Sequence, residues 1–423
     1  MPEPRDISNS ERTLTKVIVE FDRDLIPELE ELSVVEVTMV ESLLTPGLQT
    51  SIKFQNFHQY SRDGKVKSLE KFKGAACRIT IERPILDDAG MQHTLIFAQR
   101  VYRLEKRGLI NYNNEEFTLH LCDDTLLNDA KNLVSKSWVC TTPTDVVEHV
   151  LKNCVNAKTV VTETSSPARD YIAENIHPFQ VVTQQEDVAL AAGNDPSFFH
   201  FMTYRNFSGF DCRGTHHFES LHRMAKKPTI LTLLDSEAST VGKYSSFAKA
   251  SDGNGRSVNA IPMLTYSFPA DFDLLQDILN GVEGDGNSLI AINPYKGQFS
   301  LFGNKTRGCG VGGYNAKESQ TNQGSTAVGC PVPADQYLLK RQARVGLLDD
   351  EDVAFRTTVP WVPQLHVGET INVLLRNKNA DGIEYNYGSG KYLISAMVHN
   401  VKNGGYSTTT LDCVSETVSR GEL

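Results

Sequence analysis

The sequence predicts an α+β chain that is predominantly β. Three observations predict it. Runs of β-branched and aromatic residues with period-two alternation occupy both ends of the chain, helical apolar periodicity is confined to the middle, and Gly-, Asn- and Asp-rich breaks separate the runs. Apolar residues make up 40% and charged residues 22% of the 423 residues, which suits a globular core and is too apolar for general disorder. That length suggests two to four domains.

The first segments, TLTKVIVEFD, LSVVEVTMVE and TSIKFQNF, read as strands. In ACRITIERP, Cys77, Ile79 and Ile81 face one way while Arg78, Thr80 and Glu82 face the other, so one face is dry and one wet. HTLIFAQRVYRLEKRG and EEFTLHLCDD flank the Asn-rich hairpin signal LINYNN. In the second of them Phe117, Leu119 and Leu121 alternate with Thr118 and His120. These segments predict an antiparallel sheet.

The period then changes. DDTLLNDAKNLVSKSW predicts a short helix opened by aspartates, which suit the positive end of the helix dipole. TPTDVVEHVLKNCV predicts a second one, with Thr142 as cap, Pro143 in the first helical position and Asp145 three residues after the cap. Val146, Val147, Val150 and Leu151 form its apolar stripe. A third helix is expected over PFQVVTQQEDVALAAGN, ended by Gly193 and Asn194. Strands resume with SFFHFMTY, RNFSGFD, GTHHFES and TILTLLD. A less regular region follows, with the helix candidate FDLLQDILN and the strand pair SLIAINPY and GQFSLFGN. Residues 304–335, rich in Gly, Ser, Asn and Gln, are expected to form a long exposed loop or linker. AFRTTVPWV, ETINVLLRN, KYLISAMVHNV and YSTTTLDCVSE close the chain as strands. No fixed period of about 20 to 50 residues marks a solenoid.

Several function classes are disfavoured. No run reaches the roughly 18 apolar residues that span a bilayer, and the N-terminal MPEPRDISNSERTLTK lacks the apolar core of a signal peptide, so the protein is expected to be made and kept in the cytoplasm. The eight cysteines (Cys77, Cys122, Cys140, Cys154, Cys212, Cys309, Cys330, Cys413) form no CxxC pair and are expected to be buried small hydrophobes or surface thiols. A net charge of −10 argues against general affinity for nucleic acid.

Candidate chemistry is thin. A literal GxGxxG at Gly308, Gly310 and Gly313 lacks the strand-turn-helix setting that would place a pyrophosphate on a helix N-terminus, and reads as a flexible loop. His216 and His217, with His222 beyond, would point to opposite faces of a strand and cannot easily share a metal, so a surface or interface pair is expected. GxSxG and catalytic-cysteine signatures are absent. The acidic clusters Asp123–Asp124 and Asp349 to Asp352 are expected to be solvated, although a glycosidase dyad needs no sequence proximity. The basic stretches EKFKGAACR and MAKKP read as ordinary surface. Accordingly no catalytic, cofactor-binding or metal residue is assigned, and no cofactor.

Three stretches resemble a known family, the central baseplate hub of contractile-tailed bacteriophages, which is related to the hub part of type VI secretion spike proteins. FTLHLCDDTLLNDAKNLVSKSWVCTTPTDVVEHVLKNCV is similar to that family's passage from a barrel strand through a short helix and a VSK turn to a second helix. IHPFQVVTQQEDVALAAGNDPSFFHFMTYRNFSGFDCRGTHHFESL resembles its module of proline, helix and aromatic strands. HVGETINVLL with SGKYLISAMVHNVKNGGYSTTTLDCV is similar to its closing strands.

The resemblance implies two tail-tube-type antiparallel β-barrels per chain, with short helices and extra smaller domains. The expected division is a first tube-like barrel over residues 1–125, helices and aromatic strands contributing to the barrels over 126–240, a variable inserted domain over 241–340, and a C-terminal β-domain closing the second barrel over 341–423. It implies a non-enzymatic structural hub in the virion tail baseplate, assembled in the host cytoplasm. Its homotrimeric ring would connect the threefold central spike to the sixfold tail tube and frame the DNA channel. The implied partners are further copies of the chain, the central spike protein, the tail tube or tube-initiator protein, the tape measure protein and the baseplate wedge proteins, with no membrane and no specific nucleic-acid binding. The competing readings are a tail-associated cell-wall hydrolase, or the hub of a flexible-tailed phage, a tailocin or a type VI-like injection machine.

Overall fold

The computed structural model describes residues 15–21, 32–57, 68–82, 94–111, 114–193, 195–205, 213–235, 248–251, 257–268, 288–293, 298–305, 315–317, 354–379, 382–385 and 388–415. Among them strands dominate and helices are few and short, as the sequence predicts.

The N-terminal region forms β1 (Lys16–Phe21), β2 (Ser33–Ser42), β3 (Gln49–Phe57), β4 (Ala76–Glu82), β5 (Thr94–Asn111) and β6 (Asn114–Cys122). They pair antiparallel in the order β1-β4-β5-β6-β3-β2. The alternation sets which face is dry: Cys77, Ile79 and Ile81 are buried, as are Phe117, Leu119 and Leu121, while Arg78 is exposed. Burying such side chains contributes roughly 1.5–3 kcal/mol each, which is why a one-residue register slip is not tolerated.

The middle holds α1 (Asp124–Lys131), β7 (Val134–Thr141), α2 (Pro143–Asn153), β8 (Thr159–Thr162), β9 (Arg169–Ile176), α3 (Pro178–Glu186), β10 (Phe198–Thr203), β11 (Thr215–Ser220) and α4 (Leu221–Lys226). α2 starts where its signals place it. The Thr142 hydroxyl accepts the Asp145 N–H, Pro143 opens the first turn, and Val146, Val147, Val150 and Leu151 are buried.

Two boundaries differ from the sequence reading. α1 stops at Lys131, and VSKSWVCT becomes β7, because its alternating residues find an antiparallel partner in β9. α3 stops at Glu186 rather than at Gly193. Leu190 instead exchanges backbone hydrogen bonds with Ser166, and Ala191 N donates to Asp195 O. In the first case a distant strand partner, and in the second isolated bridges to Ser166 and Asp195, outweigh a modest helical propensity. α4 carries too short a pattern to be read from sequence.

The remaining strands are β12 (Thr229–Asp235), β13 (Ala248–Ser251), β14 (Ser257–Met263), β15 (Thr265–Ser267), β16 (Ser288–Asn293), β17 (Gln298–Lys305), β18 (Asn315–Lys317), β19 (Ala354–Pro360), β20 (Thr370–Leu374), β21 (Arg376–Asn379), β22 (Gly382–Tyr385), β23 (Gly390–Lys402) and β24 (Thr408–Val414). β16 and β17 pair antiparallel, as expected of SLIAINPY and GQFSLFGN. Within 304–335, expected as loop, Asn315–Lys317 forms a short strand on β17; most of that span, with FDLLQDILN, most of RNFSGFD, the GxGxxG glycines, Asp349 to Asp352, and Cys212, Cys309 and Cys330, lies outside the described residues. β12 runs parallel to both β14 and β20, unlike the all-antiparallel N-terminal strands.

β23 splices the two ends of the chain. Along one edge its first residues, Gly390–Leu393, pair with β20, and Ala396–Lys402 pair with β2; β24 lies along the other edge. The result is one continuous 14-stranded sheet with two cores. One core gathers β1–β6 with Trp361 and Val401, and the other gathers β10, β12, β14, β19, β20, β23 and β24. A third core is built on α2, α3, β7 and β9. Asn403 ties β1 to this junction: its Oδ1 accepts Val17 N–H at 3.1 Å, and its backbone N–H donates to Val35 O.

Candidate functional site

The seam between the two large cores is where the chain spends its buried charge. On β2, Val37, Met39 and Glu41 share one face by period two, Leu43 follows in the turn just past the strand, and all four are buried. Val37 and Met39 enter the N-terminal core, Leu43 enters the C-terminal one, and Glu41 sits between them. A carboxylate in that register needs partners, because an unpaired buried charge is costly. Glu41 Oε1 accepts Tyr204 N–H at 2.8 Å and faces His366 Nδ1 at 3.1 Å, and Oε2 accepts Val367 N–H at 3.0 Å. Three segments far apart in sequence therefore converge on one side chain.

Charge decides the protonation of this pair. Burial by itself would raise the Glu41 carboxyl, but the His366 charge, the His366 hydrogen bond and the Tyr204 N–H outweigh it and hold the group below its usual range. Burial would likewise depress His366, but the Glu41 carboxylate, with help from Glu369, holds it above the ordinary histidine value. Both shifts favour the ionised forms, an imidazolium facing a carboxylate.

Further polar contacts surround it. Arg205 Nη1 donates to Glu369 Oε1 at 2.6 Å, and Lys227 Nζ donates to Glu219 Oε2 at 2.6 Å and to Gly368 O at 3.1 Å. Gly368 adopts φ +74, and a Cβ there would stand 2.7 Å from Phe201 Cζ, so glycine is required by both backbone and space. Lys227, in the MAKKP stretch read as ordinary surface, is thus turned onto a carboxylate that is 2% exposed.

The histidine pair is also corrected. His216 and His217 do point to opposite faces of β11, but both faces are covered, so neither is at a surface. β11 is the central strand of the sheet β10-β11-β8. His216 stacks on His200 and His217 on Phe201. Asp123, expected in a solvated cluster, is 1% exposed. It caps α1 through Thr125 N–H and accepts the Thr125 hydroxyl at 2.7 Å. Since Thr125 Oγ1 donates to Asp123, it accepts from His216 Nε2–H at 3.1 Å. That assigns His216 Nδ1 as acceptor from His200 Nε2–H at 3.0 Å. Burial drives both histidines neutral, His216 down to about 4.

Among the cysteines, Cys77, Cys122 and Cys413 are buried, with burial pushing the Cys122 thiol up to about 12; Cys140 is exposed and Cys154 half-buried. His222 is exposed. Among the described residues no group of three or more His, Cys, Asp or Glu is placed to hold a metal. The seam was missed in the sequence, although two signals mark it. Glu41 interrupts an apolar register, and His366, Val367, Gly368 and Glu369 open the HVGETINVLL stretch. What the seam does chemically is clamp: it fixes β2, β10 and the turn before β20 against one another.

Solved structures share this architecture. A tail protein from Neisseria meningitidis MC58 is 9% identical with a TM-score of 0.50, the match covering 95% of this chain and 97% of that one. The 43 kDa tail protein of prophage MuSo2 from Shewanella oneidensis is 11% identical with a TM-score of 0.50, covering 90% and 96%. An Escherichia coli component of the type VI secretion system, itself similar to the T4 bacteriophage tail proteins gp27 and gp5, is 10% identical with a TM-score of 0.48, covering 96% and 78%. No protein-family model matches the sequence, and no curated protein matches it. The chain therefore shares the fold of these two tail proteins over nearly its whole length.

Proposed function

We propose that the chain is the structural hub of a phage tail baseplate, a homotrimeric ring that joins the threefold central spike to the sixfold tail tube and frames the DNA channel. The observation that carries the reading is the splice: two β lobes, each with its own core, are locked into one sheet by β23 and clamped by Glu41 and His366. Two similar-sized β lobes per chain are what a threefold assembly needs to present six β modules, and a tail-protein fold along almost the full chain fits that use. In this reading the two lobes are the two tube-type barrels, the first over residues 1–125 and the second closed by 341–423, with helices and aromatic strands of 126–240 contributing to the barrels and 241–340 as a variable inserted domain.

The role is mechanical and non-enzymatic, and its place is the virion tail, assembled in the host cytoplasm. Partners are the spike, the tube or tube-initiator, the tape measure and the wedge proteins. A lumen carrying part of the −10 charge would let DNA slide without sticking. Native mass spectrometry and electron microscopy of the purified chain, alone and with its spike, test the reading. A three-copy ring with six density lobes is expected. A chain that stays monomeric in both conditions would overturn it, and lysis zones on a peptidoglycan gel would favour a cell-wall hydrolase instead.

A further inference from the structure

Two buried polar atoms beside the clamp have no hydrogen-bond partner in the chain, and they stand on elements that the seam brings together. They are Glu369 Oε2, on the turn before β20, and His217 Nδ1, on β11. Both atoms are shut off from bulk water, Glu369 being 8% exposed and His217 7%. A buried polar group left unmatched loses its hydration and gains nothing in return, so native folds rarely keep one unsatisfied.

Their neighbours place the two groups against each other. On β11, Thr215, His217 and Glu219 share one face by period two. The Thr215 hydroxyl donates to Arg205 O at 2.6 Å, and the Arg205 guanidinium reaches Glu369 Oε1 at 2.6 Å. On the other side of His217, Glu219 Oε2 accepts from Lys227 Nζ at 2.6 Å, and the same ammonium donates to Gly368 O at 3.1 Å. His217 therefore lies between two ties that both run to the Gly368–Glu369 turn. Its ring stacks on Phe201 at 4.8 Å between centroids, and Phe201 Cζ is the atom that a Cβ on Gly368 would strike. Lys227, His366 and Arg205 act electrostatically on both groups.

Charge and hydrogen-bond capacity decide what fits between them. An anion would face the Glu369 carboxylate, and a cation would face Lys227 and Arg205. Among the described residues no group of three or more His, Cys, Asp or Glu is placed to hold a metal. An ammonium has three N–H groups, and Glu219 and Gly368 O engage two of those on Lys227. The place thus offers one donor and two acceptors to a small neutral molecule. Water matches that set, and buried waters typically make about three hydrogen bonds to protein.

We infer that a water molecule is built into the seam as a structural bridge, donating to Glu369 Oε2 and to His217 Nδ1 and accepting from Lys227 Nζ. The His217 proton then sits on Nε2 and is donated to Thr203 Oγ1 at 3.1 Å. The bridge ties β11 to the turn before β20, whose side chains make no direct bond to His217, and so extends the clamp into the sheet β10-β11-β8. It rests on the seam's geometry and not on the hub reading.

A high-resolution crystal structure of the full chain tests the bridge. An ordered water is expected within about 2.7–3.2 Å of all three atoms. In the His217→Phe/Glu369→Met variant, which keeps a ring on Phe201 and leaves only Lys227 as a partner, that density should be lost. In solution, nuclear magnetic resonance of isotope-labelled histidine should show His217 bare at Nδ1 and protonated at Nε2. This second measurement needs neither crystals nor the variant. A direct His217–Glu369 bond, an ion in place of the water, no density at all, or density that survives in the double variant overturns the inference. So does a proton on His217 Nδ1.

Discussion

Replacing Glu41 by alanine is the most informative single perturbation of the fold. The carboxylate accepts from Tyr204 N–H, Val367 N–H and His366, and all three donors are left behind in a dry seam. Breaking a buried pair by removing one partner costs about 3–5 kcal/mol, against a total stability of about 5–15 kcal/mol for a typical fold. Urea unfolding should show the midpoint falling by about 1 M, since slopes run near 1–3 kcal/mol per M for small proteins and are steeper for a chain of this size. His366→Ala alone should cost a similar amount, while adding it to Glu41→Ala should cost far less, leaving a coupling of about 2–3 kcal/mol in the double-mutant cycle. The sign of the pH effect follows from the two shifts. The raised His366 value makes its contribution complete below the ordinary histidine pKa and lost as pH rises through the folded value. The lowered Glu41 value makes its contribution complete above the ordinary carboxylate pKa and lost as pH falls through the folded one. The pair therefore supports the seam fully between about pH 4.5 and 6.5, and Glu41→Gln should remove the decline seen above that window. A loss under about 1 kcal/mol for Glu41→Ala, or strict additivity with His366→Ala, would refute the clamp.

Three further outcomes follow from the same geometry. His216 and His399 are buried neutral with values of about 4 against the usual 6.5, so their contribution is full above 6.5 and lost as pH falls toward 4. Denaturation at pH 7 and pH 5 should differ by about 2 kcal/mol for each of them, and glutamine at both positions should flatten that slope. Gly368→Ala places a methyl 2.7 Å from Phe201 Cζ at φ +74 and should cost about 1–3 kcal/mol by chemical denaturation. Thr142→Ala removes the hydroxyl that accepts Asp145 N–H at 3.2 Å, and should cost about 1 kcal/mol, seen as a lowered thermal midpoint.

Local chemistry was legible wherever it acts within a few residues. The dry face of ACRITIERP, the cap and stripe of TPTDVVEHVLKNCV, and the β5–β6 and β16–β17 pairs all follow from period, caps and strands adjacent in sequence, which need no distant partner. Two helix ends were misplaced because non-helical partners were not visible in the sequence: VSKSWVCT left the helix for β9, and the segment after Glu186 left it for Ser166 and Asp195. Burial of polar groups was misjudged for the same reason. A histidine on a strand reads as half-exposed until both faces of that strand are covered, as those of β11 are.

By itself the sequence determined the predominantly β class, the central helices and the likeness to tail proteins, because alternation and capping are properties of neighbouring residues. Only the tertiary structure decided that β23 is shared between two lobes, that Glu41 meets His366 across 325 positions of chain, and that Lys227 of MAKKP turns onto the buried Glu219. The first two are contacts between segments far apart in the chain, and their pairing is set by which faces remain to be buried once each strand has formed.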